Sequence, residues 1–150
     1  MIGWIAIAIT VVVFASIAFR VDDWSRDWSE NFAELSFDAE RDELQPLELD
    51  GPIEPHLNRL NAWVDAQARW AFASDVTMMT KVDGMVAEAN LTRQTSLFRF
   101  VDDITVRLVQ TGEGDESKTI LYATSQSRIG KGDLGQNPRN LIELKRCFDD

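Results

Sequence analysis

Residues 119–148 read TILYATSQSRIGKGDLGQNPRNLIELKRCF, and this stretch decides the fold of the C-terminal half of the chain. Its first part, Thr119–Arg128, mixes apolar, β-branched and polar residues in the way that favours a β-strand. Three glycines follow it. Asn137 is then a residue type that caps helices, and Pro138 suits a first helical position. The stretch therefore predicts a strand, a glycine-rich turn and a C-terminal helix.

Upstream of this stretch, the sequence predicts one more helix and three more strands. The helix starts at Pro55, and its apolar positions recur at helical spacing: Leu57, Leu60, Trp63, Val64, Ala68, Trp70 and Ala71. The strands are predicted at Val76–Val82, Met85–Leu91 and Ile104–Val109. Asp83-Gly84 between the first two is a strong signal for a hairpin turn. Short links between consecutive strands favour antiparallel pairing.

The expected fold class is α+β, with one small domain over residues 55–150. Within it, a four-stranded antiparallel sheet is flanked by an N-terminal and a C-terminal helix. One transmembrane helix precedes the domain in the chain. About 100 residues are enough for a single modest hydrophobic core.

Composition divides the chain into three parts: an apolar start, an acidic connector, and a remainder whose charges balance. Lys and Arg total 15 against 25 Asp and Glu, which gives a net charge of −10. Residues 22–54 hold twelve acidic and two basic residues, so this connector alone accounts for −10. A strongly acidic chain is a poor nucleic-acid binder, because affinity for nucleic acid comes from neutralising phosphates. The single Cys147 and single His56 exclude an internal disulfide and the usual zinc sites.

Residues 1–19, MIGWIAIAITVVVFASIAF, carry no charged residue before Arg20. A helix of this length spans roughly 28 Å, close to the thickness of a bilayer's hydrocarbon core. Ser16-Ile17-Ala18 has the small-x-small form of a signal-peptide cleavage site, which is the alternative interpretation. However, no basic residue precedes the apolar run, and the run is long for a signal peptide. We therefore predict a transmembrane anchor over residues 1–20.

Residues 21–54 are predicted to be an acidic juxtamembrane helix followed by an extended tether. Trp24, Trp28 and Phe32 are spaced four apart and share one face of a helix. Two interpretations are open: an aromatic belt at the lipid–water boundary, or a docking face for another membrane-protein subunit. The acidic neighbours favour the second, since interfacial helices that bind lipid are usually basic.

Gly130-Lys131-Gly132-Asp133-Leu134-Gly135 matches the G-x-G-x-x-G form of a dinucleotide-binding loop. It lacks the context, because the chain has no room for a following strand and its ribose-binding acid. The glycines fit a tight strand-to-helix turn better. An anion site beside Lys131 and the helix N-terminus is the intermediate interpretation. We expect no cofactor and no metal ion.

Asp102 and Asp103 form the second charged cluster, together with Arg99. Neighbours in a strand point to opposite faces, so the two carboxylates do not converge on one ligand. Ion pairs between these acids and Arg93, Arg99 or Arg128 are the favoured interpretation. A serine–histidine–acid site is not credible, because the only histidine lies far away in sequence.

Two phrases resemble the domain of unknown function family numbered 1499. The first is Leu97-Phe98-Arg99-Phe100-Val101-Asp102-Asp103. The second is Ser125-Gln126-Ser127-Arg128-Ile129-Gly130-Lys131-Gly132-Asp133-Leu134-Gly135-Gln136-Asn137, which matches all eight fixed positions of the pattern S-x-S-R-x-G-x-x-D-L-G-x-N. In this family a basic residue is common where the chain has Asn140. The resemblance implies a small bacterial or chloroplast domain, often exported or attached to a membrane.

Two functions follow from these observations. The first is a single-span, membrane-anchored accessory or assembly protein of a larger membrane complex, without catalysis, which binds partner subunits through Trp24, Trp28 and Phe32. Its place is the inner membrane, with the domain on the extracytoplasmic, periplasmic side. The alternative is a ligand-binding domain or enzyme that uses the loop at residues 128–137. The candidate signature residues, structural or ligand-binding, are Arg99, Asp102, Asp103, Ser127, Arg128, Gly130, Asp133, Gly135 and Asn137.

Overall fold

The structure is a computed structural model that describes residues 2–18, 29–81, 84–96, 99–112 and 116–149. The strands are β1 (Phe32–Glu34), β2 (Leu47–Asp50), β3 (Trp70–Phe72), β4 (Thr77–Lys81), β5 (Gly84–Gln94), β6 (Val101–Thr111) and β7 (Lys118–Ser127). The helices are α1 (Ile2–Ala18), α2 (Ile53–Ala66) and α3 (Gln136–Lys145), with short 3-10 helices at Asp42–Leu44 and Arg146–Phe148.

One antiparallel sheet organises the domain. The long strands β5, β6 and β7 form its centre, and each edge is built from two short strands. At one edge β1 and β2 pair with successive parts of β7, and at the other edge β3 and β4 pair with β5. Short edge strands leave no long run of unpaired backbone to recruit another chain.

The core lies on one face of this sheet, beneath α2 and α3. Side chains alternate between buried and less buried along the central strands, as the period of two along a strand requires. The largest side chains that are fully buried are Ile53, Leu60, Leu91, Ile104, Leu108, Leu121, Leu141 and Leu144. Leu60 from α2 and Leu144 from α3 belong to the same apolar cluster. The two helices therefore share one core.

The four-stranded sheet that the sequence predicts is wrong, because the described residues form seven strands. The four predicted strands correspond to β4–β7. The extra strands β1, β2 and β3 have only three or four residues each, too few to show an alternating pattern. Residues 32–50, predicted to be part of the connector, supply two of them. This segment is part of the sheet and not a tether.

The predicted transmembrane helix also needs correction. Among the described residues, no helix is long and apolar enough to cross a membrane. Helix α1 has 17 residues and is therefore about 26 Å long, whereas a bilayer core is about 30 Å thick.

Candidate functional site

The sheet places three side chains of the signature on its covered face. Asp102 in β6 lies opposite Ser127 in β7, and Ser125 lies two residues before Ser127 on the same face. All three are buried, and Asp102 is only 1% exposed. Asp103 points to the other face and is exposed. The two neighbouring carboxylates therefore have different surroundings, as the alternation along a strand predicts.

Helix α3 places two side-chain amides against these residues. Asn137 and Asn140 are three positions apart, so they share one face of the helix. Both are fully buried, and they continue the face that carries Leu141 and Leu144. Two carboxamides at the start of the buried face place four polar atoms against the sheet.

Five side chains close into a circle of hydrogen bonds, called here the polar ring: Asp102, Ser125, Ser127, Asn137 and Asn140. Ser127 Oγ donates to Asp102 Oδ1 at 2.7 Å, and Asn137 Nδ2 donates to Ser127 Oγ at 3.2 Å. Ser125 Oγ donates to Asn137 Oδ1 at 2.7 Å. Asn140 Nδ2 closes the ring, since it donates to Ser125 Oγ at 3.1 Å and to Asp102 Oδ2 at 2.9 Å.

Donors and acceptors balance within the polar ring. Each serine hydroxyl donates one bond and accepts one, and both oxygens of Asp102 accept. The remaining oxygen of Asn140 accepts from Gln136 Nε2 at 2.8 Å. Within the described residues, every buried side-chain nitrogen or oxygen of the ring therefore has a partner. A fully satisfied buried network fixes one arrangement of the elements that carry it.

The loop between β7 and α3 is shaped by its backbone. Gly130 and Gly135 have φ values of 102° and 73°, in the left-handed region where glycine is favoured. Leu134 also has a positive φ, at 53°, although it is a bulky residue. Arg139 Nη2 donates to the carbonyl oxygen of Leu134 at 2.8 Å and holds that residue in place.

The first turn of α3 is capped by Asp133. Its Oδ1 accepts from the backbone N–H of Gly135 at 2.8 Å, and its Oδ2 accepts from that of Asn137 at 2.5 Å. A carboxylate at this position also suits the positive end of the helix dipole. The predicted cap, Asn137, lies inside the helix instead. Its side chain is used in the polar ring and does not cap the backbone.

Arg128 and Asp103 form an ion pair on the exposed face of the sheet. Arg128 Nε and Nη2 donate to the two carboxylate oxygens at 2.8 and 2.7 Å. These bonds hold the pKa of Asp103 below its ordinary value and raise that of Arg128. Both side chains are about half exposed, so water screens the pair.

The ion pair of Arg128 with Asp103 is one of the pairings that the sequence predicted. Arg99 is exposed, with a φ of 55°, in the loop between β5 and β6. It is separate from the polar ring. Phe32 lies in β1 and not on a helix, with 44% of its surface exposed. Trp24 and Trp28 lie outside the described residues.

Sequence reasoning missed Asn140 as a site residue and treated Ser125 as an ordinary strand position. It also missed Glu143, which accepts hydrogen bonds from Trp70 Nε1 at 3.2 Å and from Arg93 Nε at 3.1 Å beside the ring. One signal was available: residues 137, 140, 141 and 144 fall on one helical face. An asparagine on a face that also carries buried leucines is expected to be buried and hydrogen-bonded.

His56 and Cys147 have side chains that are often reactive in enzymes, and here both make contacts within the domain. His56 Nε2 lies 3.0 Å from the carbonyl oxygen of Asp50. The Cys147 thiol is buried, and burial raises its pKa to about 11, so at neutral pH it is protonated and a weak nucleophile. Among the described side chains, no group of three or more His, Cys, Asp or Glu is placed to hold a metal ion.

The chain matches a known protein family. No curated protein is significantly similar to the chain. The family described as Protein of unknown function (DUF1499) matches residues 23–148, which include β1 to β7, α2, α3 and all five members of the polar ring. The match covers most of the chain, and the chain therefore belongs to the DUF1499 family.

Proposed function

We propose that the chain is a membrane-associated accessory protein without catalysis, in which the family domain is held next to a lipid bilayer and serves a larger membrane complex. Helix α1 carries the proposal. Over residues 3–16, whose exposure the structure describes, every residue except Thr10 and Ser16 is apolar and every one except Ala15 is exposed, with Trp4 at 77% and Phe14 at 67% exposure. A helix that is apolar all round needs cover, because water around it is unfavourable.

The two hydroxyls of α1 support lipid as the cover. Thr10 Oγ1 donates to the backbone carbonyl of Ala6 at 2.9 Å, and Ser16 Oγ donates to that of Val12 at 2.7 Å. Both hydrogen-bond donors are therefore satisfied inside the helix. Such a helix can enter a hydrocarbon phase without leaving these groups unpaired.

The polar ring supports a role without catalysis. Its hydroxyls, amides and carboxylate are the side chains that a substrate would have to reach, and each is hydrogen-bonded to another member. The ring holds α3 on the sheet, and this produces a rigid domain. A rigid domain beside a membrane is suited to binding other subunits.

The partner side of the proposal rests on Phe32, which β1 leaves exposed at the sheet edge where the chain enters the domain. We place the domain on the extracytoplasmic side of the inner membrane, with membrane-protein subunits as its partners. The acidic charge of residues 22–54 argues against nucleic acid as a partner.

Vesicle flotation tests the proposal. The full chain is mixed with phospholipid vesicles and centrifuged through a density gradient, and we expect it to float with the lipid. Ile9→Asp with Val12→Asp places two charges on α1 and should abolish flotation, because charged groups are costly in hydrocarbon. The matched control, Asn58→Asp with Asn61→Asp, adds the same charge at the same spacing on exposed positions of α2 and should float.

Two outcomes would contradict the proposal. A wild-type chain that stays in the aqueous fractions has no affinity for lipid. A charged α1 variant that floats like the control shows that another surface makes the contact.

For the partner role, replacing Trp24, Trp28 and Phe32 by Ala should leave flotation intact and abolish co-purification of partner subunits from solubilised membranes.

A further inference from the structure

The chain that leads from α1 enters the domain at one end of the sheet. Asn31 Nδ2 donates to the carbonyl oxygens of Gly130 at 2.7 Å and Ser127 at 3.3 Å. The backbone N–H of Asp133 donates to the carbonyl oxygen of Glu30 at 3.2 Å. The entering segment is therefore fastened to the loop that follows β7. This end of the sheet is the junction end.

Two apolar side chains are exposed at the junction end. Ile129 follows β7 and is 67% exposed, and Phe100 precedes β6 and is 47% exposed. The register that pairs Asp102 with Ser127 continues one step further, where the N–H of Arg128 donates to the carbonyl oxygen of Val101. Continuing that register places Phe100 opposite Ile129. The two apolar residues are neighbours at the tips of adjacent loops.

Exposed cations flank this apolar pair. Arg99 precedes Phe100, and Lys131 follows Ile129 by two positions. Arg99, Phe100, Ile129 and Lys131 are called here the junction tips. An apolar pair flanked by basic groups matches the chemistry of an anionic lipid surface, where cations meet head groups and apolar groups reach the acyl boundary.

The opposite end of the sheet has a different character. Asp50 ends β2 there, and Glu116 precedes β7, both exposed. Acidic groups are repelled by an anionic membrane. Glu30 at the junction end and Lys118 at the opposite end mean that neither end carries one sign of charge alone, so the exposed apolar pair with its two cations is what distinguishes the junction end.

The chain length between α1 and the domain keeps the junction end close to the lipid. Ten residues, 19–28, separate Ala18 from Ser29. Ten residues reach at most about 35 Å when fully extended. If lipid covers α1, the point at which the chain enters the domain therefore lies within about 35 Å of that helix.

We propose that the junction tips rest on the head-group surface of an anionic bilayer, with Phe100 and Ile129 at the acyl boundary and Arg99 and Lys131 on the lipid phosphates. This inference rests on the proposed membrane association and adds an orientation to it. The opposite end of the sheet then points away from the membrane.

Site-specific labels in the full chain test the orientation. A cysteine at Ile129→Cys carries an environment-sensitive fluorophore, and the matched control is Thr111→Cys, an exposed position at the opposite end. Native Cys147 is buried and protonated at neutral pH, so labelling selects the introduced thiol. The probe is a vesicle of phosphatidylcholine and phosphatidylglycerol in equal parts, with a nitroxide quencher on a minor head-group lipid.

With protein that floats, we expect quenching at position 129 and none at position 111. Lys131→Ser should weaken the anionic-vesicle component of the docking at position 129 about fivefold, the effect of one cation near such a surface. The control Lys118→Ser removes an exposed cation from the opposite end and should leave quenching at position 129 unchanged.

Any other outcome overturns the proposal in whole or in part. A chain that does not float removes the membrane association and the orientation together. A chain that floats with no quenching at 129, or with equal quenching at both positions, keeps the association and overturns the orientation. Equal quenching on vesicles of phosphatidylcholine alone overturns the role of the anionic lipid.

Discussion

The two helices on the covered face of the sheet are held by different chemistry. Helix α2 contributes Ile53, Leu60 and Val64 to an apolar layer. The first half of α3 instead contributes Asn137 and Asn140 to the polar ring, and only its second half returns to leucines. Apolar contacts are non-directional, whereas hydrogen bonds need defined distances and angles. The apolar layer therefore supplies stability, and the polar ring defines where α3 lies.

The largest loss of stability is expected for a substitution on the buried face of β6, and the exposed face of the same strand provides the control. Asp102→Ala leaves the Ser127 hydroxyl and one N–H of Asn140 without an acceptor in the interior, whereas the other N–H of Asn140 still donates to Ser125. Each orphaned buried donor costs about 1–3 kcal/mol, so the free energy of unfolding should fall by roughly 2–5 kcal/mol. Urea unfolding of the full chain in a mild non-ionic detergent measures it. The adjacent control, Asp103→Ala, removes only an exposed ion pair and should cost less than about 1 kcal/mol. Equal losses would contradict a special role for the ring.

Cys147 makes the stability of the apolar layer depend on pH in the alkaline range. Burial raises the pKa of this thiol from 9.0 to about 11, so the folded state holds its proton more tightly than the unfolded state. The resulting stability is complete below pH 9 and is lost as the pH rises through 11, up to about 3 kcal/mol. Unfolding midpoints measured from pH 8 to 11 should fall, and Cys147→Ala should flatten this dependence. An unchanged slope in the variant would assign the alkaline loss to other groups.

Shape-preserving substitutions sharpen the contrast between the layers. Asp102→Asn keeps the size of the side chain but points an N–H₂ group at a donor, which should cost about 1–3 kcal/mol. Leu60→Met keeps the volume of the apolar layer and should cost less than about 1.5 kcal/mol. Both are compared by denaturant unfolding on the same protein preparation. A larger loss for Leu60→Met would contradict the view that the polar ring depends on the direction of its bonds whereas the apolar layer depends on volume.

The smallest expected effect concerns the start of α3. Asp133→Ala removes a side chain that accepts from two backbone N–H groups, and loss of such a cap costs about 0.5–2 kcal/mol. Thermal unfolding should show a modest decrease of the midpoint, and Glu40→Ala on an exposed turn should leave it unchanged. A variant that melts at or above the wild-type temperature would indicate that Asp133 serves a ligand, as the alternative function requires.

The parts of the fold that could be predicted are those with long patterns. Strands β5, β6 and β7 have ten or eleven residues each, long enough to show alternation, and α3 follows recognisable helix-start residues. Trp70 and Ala71 of β3 continue the helical spacing of α2, and β1 and β2 lie in acidic sequence. Glu34, Glu48 and Asp50 face solvent there, so composition suggested a tether. Their pairing with β7 depends on residues about 70 or more positions away, which no local pattern reveals.

The site was predicted in its residues but not in its connections. Asp102, Ser127 and Asn137 were singled out, yet their mutual bonds depend on the register between β6 and β7 and on the rotation of α3. Asn140 was noticed only because the family commonly carries a basic residue at that position. Here it donates to Asp102, so an uncharged amide occupies a place beside a buried carboxylate. In such cases the sequence offers one signal, namely a polar residue on a helical face that also carries apolar residues, and this signal predicts that the polar residue is buried and hydrogen-bonded.

The pairing of the first edge strands with β7 sets the order in which the domain can be made. Residues 32–50 emerge from the ribosome first, but their strand partners are residues 118–126. Lys145 then fastens the same segment, since its Nζ donates to the carbonyl oxygens of Asp42, Glu43 and Gln45. Contacts between such distant residues close slowly. This edge of the sheet therefore cannot form before residues 118–126 are available, and the like charges of residues 22–54 oppose premature collapse during that time.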